Sequence, residues 1–163
     1  MPPISISTRA PGAFEDVADD APLPVAGAVI VSARRLAAER DGVFARNDAV
    51  GVVLESHESP MQLPPEDLQR LSLVVLMFPK FRDGRGFSWA RMLRTRLGFR
   101  GEIRARGHFL RDQIFFMARC GIDSLEGDLR ITAEAVSDAL ATFTHVYQPA
   151  ADGRRSVVLA RHG

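Results

Sequence analysis

The sequence predicts an α/β fold in which repeated βα units build a mainly parallel sheet, either an open sheet or one with a partial barrel-like curl. Three observations predict it. Short apolar or β-branched runs alternate with segments of helical spacing at intervals of roughly twenty to thirty residues, the signature of βαβ units with right-handed crossovers. The most apolar run, Leu71 to Phe78, has no polar alternation, which suits a strand covered on both faces. Glycines stand where elements must stop or turn, at Gly98, Gly107 and Gly121.

Taken in order, residues 1–27 mix a short alternation at Ile4 and Ile6 with Pro11-Gly12, an acidic cluster (Glu15, Asp16, Asp19, Asp20) and two further prolines, so an irregular or hairpin-like lead-in is expected. Ala28 to Val31 reads as a buried strand, with Ser32 as the N-cap of a helix from Ala33 to Arg40. Val50 to Leu54 is a second β-branched run and ends in a polar loop. Pro64-Pro65-Glu66-Asp67 carries the proline and acids of a helical first turn. After the strand 71–78, Pro79 ends the ladder, Lys80 to Gly86 forms a loop, and Ala90, Leu93 and Leu97 make an apolar stripe on a helix from Ser88 to Leu97. Glu102 to Arg106 alternates polar with apolar as a half-buried strand does. Gly107 then turns the chain into a helix expected to bury Leu110, Ile114, Phe115 and Met117 or Ala118. Ile122 to Glu126 reads as a last short strand, and Thr132 caps a helix over Ala133 to Phe143 with Val136, Leu140 and Phe143 in register. A turn-rich tail over 147–163 holds an edge strand at Val157-Val158-Leu159. The whole reads as a single α/β domain, 1–163.

Hydrophobic residues at 46% and charged residues at 25% exclude a disordered chain, a collagen-like repeat and a membrane protein. The single cysteine, Cys120, excludes an internal disulfide and any cysteine-cluster metal site, and reads as an inert packed thiol. The start Met1-Pro2-Pro3-Ile4-Ser5 has neither the basic nor the apolar segment of a secretory signal, so a cytoplasmic protein is expected. Charge is unevenly distributed along the chain. Residues 80–119 hold eleven basic residues, Lys80 and ten arginines, against three acids, Asp83, Glu102 and Asp112, a local net charge of +8 within a chain of net +1. Such a segment implies either an anion-binding face or neutralisation by the acidic N-terminal part.

The segment Phe78-Pro79-Lys80-Phe81-Arg82-Asp83-Gly84-Arg85-Gly86-Phe87-Ser88 carries most of the chemical information. Gly84 and Gly86 let the backbone turn and aim N–H groups at a ligand, the following helix offers its positive end, and Lys80, Arg82 and Arg85 add formal charge. An oxyanion is the expected ligand, with Asp83 and Ser88 completing the cradle. A tight strand-to-helix turn with solvated arginines is the competing reading. Neither the dinucleotide glycine spacing nor a Walker lysine is present. Parallel strands carry ligand loops at their carboxyl ends, so the loops 55–59, 80–86 and 107–108 are expected to be neighbours. Glu102, Arg104 and Arg106 share one strand face, where Arg104 either clamps an anion or joins a structural ion-pair network. His108 and Asp112 share a helix face if that helix begins at Gly107, and Asp112-Gln113 offers an acceptor beside a donor. Glu55, His57 and Glu58 have no specific ligand spacing, and no metal is expected. Phe81, Phe87 and Trp89 read as core aromatics, so nucleic acid is not the expected partner.

That motif, followed by Leu93-Arg94, Gly101-Glu102-Ile103-Arg104-Ala105, Gly107, Asp112-Gln113 and Arg119-Cys120-Gly121-Ile122-Asp123, resembles a bacterial domain family of unknown function. The resemblance extends to Asp19-Asp20-Ala21-Pro22-Leu23-Pro24, Val29-Ile30-Val31-Ser32 and Tyr147-Gln148-Pro149, nearly the whole chain. His108 departs from the pattern, which has an acidic residue there. Members are commonly described as oxidoreductases involved in assimilatory sulfite reduction, because their genes neighbour sulfite reductase. The resemblance thus implies an accessory protein of sulfur assimilation that holds a small oxyanion or docks an acidic redox partner such as sulfite reductase. Two other classes stand beside it: an oxidoreductase with an unrecognised cofactor, since one cysteine cannot cycle through an internal disulfide, and a non-catalytic module binding protein or RNA.

Overall fold

The computed structural model describes residues 4–7, 11–127, 131–143, 146–152 and 156–157. Seven strands form one curled, open sheet, a half-barrel, with six α-helices among the described residues. β1 (Ile4–Ser5) and β2 (Glu15–Asp16) are its two edges, and β3 (Val29–Ser32), β4 (Val50–Leu54), β5 (Leu73–Phe78), β6 (Glu102–Gly107) and β7 (Ser124–Gly127) fill the interior. Across the sheet the order is β2-β3-β4-β5-β6-β7-β1, all parallel except the last pair, β7 with β1.

Chain order and spatial order coincide from β2 to β7, and right-handed crossovers that always step the same way put every helix on one face. The side chains record this. Val74, Leu76 and Phe78 of β5 point into the large core with α1 (Ala33–Ala38), α2 (Arg40–Phe44), α3 (Pro65–Leu68), α4 (Arg85–Thr95), α5 (Ile114–Arg119) and α6 (Ala133–Ala141), whose buried members include Leu36, Leu68, Leu93, Met117 and Val136. The alternate residues, Ile30, Leu73 and Val75, form a second cluster on the other face, covered by Phe14, Val53 and Met77. A strand apolar on consecutive residues is the consequence of burying both faces.

Capping follows the sequence closely. The Ser32 hydroxyl accepts from Arg35 N at 3.0 Å, and Thr132 does the same for Ala135 N at 3.2 Å. Gly98 and Gly121 end α4 and α5 at φ +63° and +91°.

Several expectations are corrected. The lead-in over 1–27 is not a hairpin: β1 and β2 lie at opposite edges of the sheet, each only two residues long. The loop after β5 is shorter than expected, because α4 begins at Arg85, so Arg85 and Gly86 are helical rather than part of the loop. After Gly107 the chain stays extended and then makes a 3-10 turn over Arg111–Gln113 before α5. Leu110 is therefore 47% exposed, and His108 shares no helix face with Asp112. Phe143 lies beyond the end of α6, 53% exposed, with its ring 4.8 Å from that of Phe115. Of the expected edge strand, Val158 and Leu159 lie outside the described residues.

Candidate functional site

The carboxyl ends of β4, β5 and β6 bring three loops together, and hydrogen bonds join them. Trp89 Nε1 on α4 donates to Ser56 O at 3.1 Å, fixing the loop after β4 against the start of α4. Gln113 Nε2 donates to Phe81 O at 2.9 Å while its Oε1 accepts from Leu110 N at 2.9 Å, so both ends of one amide hold the loop after β5 to the loop after β6. His108 N donates to Phe78 O at 2.8 Å, continuing the β5–β6 ladder one residue past Gly107.

Within the loop after β5 the charges divide into two pairs of different fate. Asp83 accepts from Arg85 at Nε (2.9 Å), at NH2 (2.7 Å) and at the backbone N (3.3 Å), and Arg85 NH2 also donates to Ser56 Oγ at 3.0 Å. The Arg85 side-chain hydrogen bonds hold the Asp83 carboxyl far below its ordinary value, with the backbone hydrogen bond at the start of α4 and Ser56 adding to the effect. The carboxylate of Asp83 thus stands at the helix start where an external anion was expected. Gly84, the N-cap, has an ordinary φ of −80° with open space where a Cβ would be, so no special turn depends on it. Gly86 serves packing instead: a Cβ there would lie 2.4 Å from the Phe78 ring. Ser88 is exposed on α4 and lines no part of the loop junction.

Lys80 and Arg82 are the other pair. Both are exposed, and no carboxylate among the described residues forms an ion pair with either. The Arg82 guanidinium lies 5.3 Å from the centroid of the Phe81 ring. They stand at the mouth of a concavity of about 610 Å³ between the loops after β5 and β6. Across the mouth are His108, exposed, and Arg111, which is held by Asp138 at 3.2 Å. Pro79, Phe81, Phe109, Leu110 and Ile131 supply the apolar walls.

Arg104 is not there. It lies mid-strand on the helix-free face with its side chain 3% exposed, donating to Glu102 Oε1 at 3.0 Å, to Glu126 Oε2 at 3.3 Å and to Gly12 O at 2.7 Å. Glu102 also accepts from Ser124 Oγ and from Gly12 N. Arg106 extends the network to Glu126 and Asp16. An anion clamp is thereby replaced by an ion-pair network, since guanidinium groups on a buried face need internal partners. Asp112 is exposed on its 3-10 turn, away from the concavity.

The surplus of positive charge is thus largely neutralised, and mostly from the C-terminal side rather than the N-terminal part. Arg94 pairs with Asp123, Arg104 and Arg106 with Glu126, Arg111 with Asp138 and Arg119 with Asp152, whereas Asp16, from before β3, pairs with Arg106. Arg94 also donates to the carbonyls of Phe99, Gly101 and Gly121, a scaffold role that its plain helical position did not reveal. The apolar walls were equally unannounced: Leu110 fits a helical stripe on paper, and the delayed helix start leaves it exposed beside the buried Phe109. Glu58 folds back onto Glu55 N at 2.8 Å, and no group of three ligand-type side chains among the described residues could hold a metal ion. Burial pushes the Cys120 thiol above its ordinary value, with Arg91 and Arg119 opposing.

Residues 51–158, from the second residue of β4 onward and including the loops after β4, β5 and β6, match the model of a family described as "Bacterial protein of unknown function (DUF934)". The chain belongs to this family. No curated protein and no solved structure gives a significant match. DUF934 is defined without a function. No helix among the described residues is long and apolar enough to cross a membrane.

Proposed function

We propose that this DUF934 protein is a cytoplasmic accessory protein of assimilatory sulfite reduction that binds an oxyanion at the carboxyl edge of its half-barrel. One observation carries the reading: Lys80 and Arg82 stand exposed at the mouth of a concavity, while six other arginines of the same segment are engaged by carboxylates. Positive charge left uncompensated where ligand loops converge attracts anions and focuses their approach. The pathway is implied by the family resemblance, and the ligand class by the pair of cations.

Calorimetric titration with sulfite, sulfate and adenylated sulfate tests the site. At least one should bind, more weakly as salt rises, because exposed charges are screened over about 10 Å at 0.1 M ionic strength. A Lys80→Ala, Arg82→Ala double variant should lose tenfold or more in affinity. Arg91→Ala removes one exposed charge on α4 outside the concavity and should change nothing. Equal affinity in the double variant and the parent would remove the site. The pathway is tested separately by deleting the gene: growth should slow on sulfate or sulfite as sulfur source and be normal on cysteine. Unchanged growth on all three would reject the accessory role.

A further inference from the structure

Size and lining of the concavity say more than its charge. A tetrahedral oxyanion needs the room of a few waters, on the order of 100 Å³, whereas the space between the two loops is about 610 Å³, in the range that holds organic ligands. Its floor is carbon: Phe109 and Ile131 are 5% and 6% exposed. Its mouth is flanked by Phe81 and Leu110, 44% and 47% exposed, large apolar side chains that a bare ion would leave wet. Lys80 and Arg82 lie on the loop that carries Phe81, and the facing loop adds His108 and Arg111, the latter held by Asp138. An inorganic ion resting against such walls would exchange hydration for contact with carbon, an unfavourable trade.

Just as informative is what the walls lack. Among the described residues lining the space, no Ser, Thr, Asn, Gln, Asp or Glu side chain is present. The Gln113 amide has both ends engaged in holding Phe81 and Leu110. Sugars, nucleobases and peptides would bury donors and acceptors with few side-chain partners to receive them. Two aromatic rings and a proline instead favour a flat hydrocarbon surface.

We infer that the ligand is an organic anion, an oxyanion head of the sulfonate, sulfate-ester or phosphate-ester class attached to a flat apolar body, with the head at Lys80 and Arg82 and the body between Phe81, Phe109 and Leu110. This rests on the reading of the concavity as the anion site. The head alone is common to both statements; the apolar body belongs to this one.

Two probes of equal charge separate them, methanesulfonate and naphthalene-1-sulfonate, titrated into the full-length protein and four variants. The aryl probe should bind the parent at least tenfold more tightly than methanesulfonate. Phe81→Ala, or Leu110→Asn as a second exposed position, should erase that advantage, and Lys80→Ala with Arg82→Ala should weaken the aryl probe tenfold or more. Phe116→Ala, at a separate aromatic cavity lined also by Phe143 and Tyr147, should leave it unchanged. If the two sulfonates bind equally but both depend on Lys80 and Arg82, the organic body is overturned and the anion site stands. If the aryl probe depends on Phe116 and not on Phe81, or if neither sulfonate binds, the inference falls. In that last case, binding of sulfite or sulfate that depends on Lys80 and Arg82 would still uphold the parent reading.

Discussion

Glu102→Ala should lower stability by about 3 to 5 kcal/mol, the range found when one member of a buried ion pair is removed and its partner stays behind uncompensated. The side chain of Glu102 is 4% exposed and accepts from Arg104, Ser124 and Gly12, so its loss strands a guanidinium whose own side chain is 3% exposed. Glu126 at 3.3 Å and Gly12 O at 2.7 Å still receive Arg104, which places the expected effect toward the lower end. For a chain of this size the melting temperature should fall by roughly 10 °C. Glu102→Gln keeps volume and an acceptor for Gly12 N and gives a milder variant if the alanine form fails to fold. Replacing the pair together, Glu102→Leu with Arg104→Met, should recover most of the loss, because two hydrophobic side chains need no desolvation of charge. Chemical denaturation of the parent, Glu102→Leu, Arg104→Met and the double variant closes the double-mutant cycle. The same variants decide what the network is for. A structural network predicts that Glu102→Gln leaves ligand affinity at the carboxyl edge unchanged. Lost affinity with unchanged stability in Arg104→Ala would instead restore Arg104 as an anion clamp.

The contrast between Arg104 and Lys80 shows what a single sequence discloses. Periodicity is local, so β3 to β7 and most helices were legible, and the rule that parallel strands carry their loops at one end brought 55–59, 80–86 and 107–108 together on paper. The alternation at Ile4 and Ile6 hinted at β1, but the pairing of the edge strands was not legible, since β1 pairs with β7 far along the chain. Neutralisation escaped for a related reason. Arg106 meets Asp16 across 90 positions and Arg94 meets Asp123 across 29, distances over which charge clustering in the sequence has no bearing on pairing. Gly86 misled differently: read as a turn residue that aims N–H groups at a ligand, it is a helical residue whose missing Cβ admits the Phe78 ring. Of the residues expected in the cradle, Arg85 pairs with Asp83, Gly86 packs on Phe78 and Arg104 lies mid-strand, whereas Lys80 and Arg82 line the concavity.

Gly107→Ala should be among the most damaging single substitutions at the site, by about 3 kcal/mol or more, for two additive reasons. Its φ is +123°, a backbone region that side chains other than glycine occupy only at a cost of order 1–3 kcal/mol. A Cβ there would also lie 2.3 Å from Phe78 O, a backbone atom of the neighbouring strand that cannot rotate away. Relief requires the end of β6 to separate from β5, and the bond from His108 N to Phe78 O at 2.8 Å goes with it. That bond holds the wall formed by His108, Phe109 and Leu110, so the substitution should weaken ligand binding beyond what the loss of folded protein explains. Gly98→Ala separates strain from crowding. Gly98 has φ +63° with nothing within 4 Å of the point where a Cβ would stand, and its substitution should cost only about 1–2 kcal/mol, with ligand affinity intact. Denaturation curves and calorimetry on the two variants are sufficient. Equal destabilisation by both, or full affinity in folded Gly107→Ala, would mean that the β5–β6 terminus does not position the wall of the concavity.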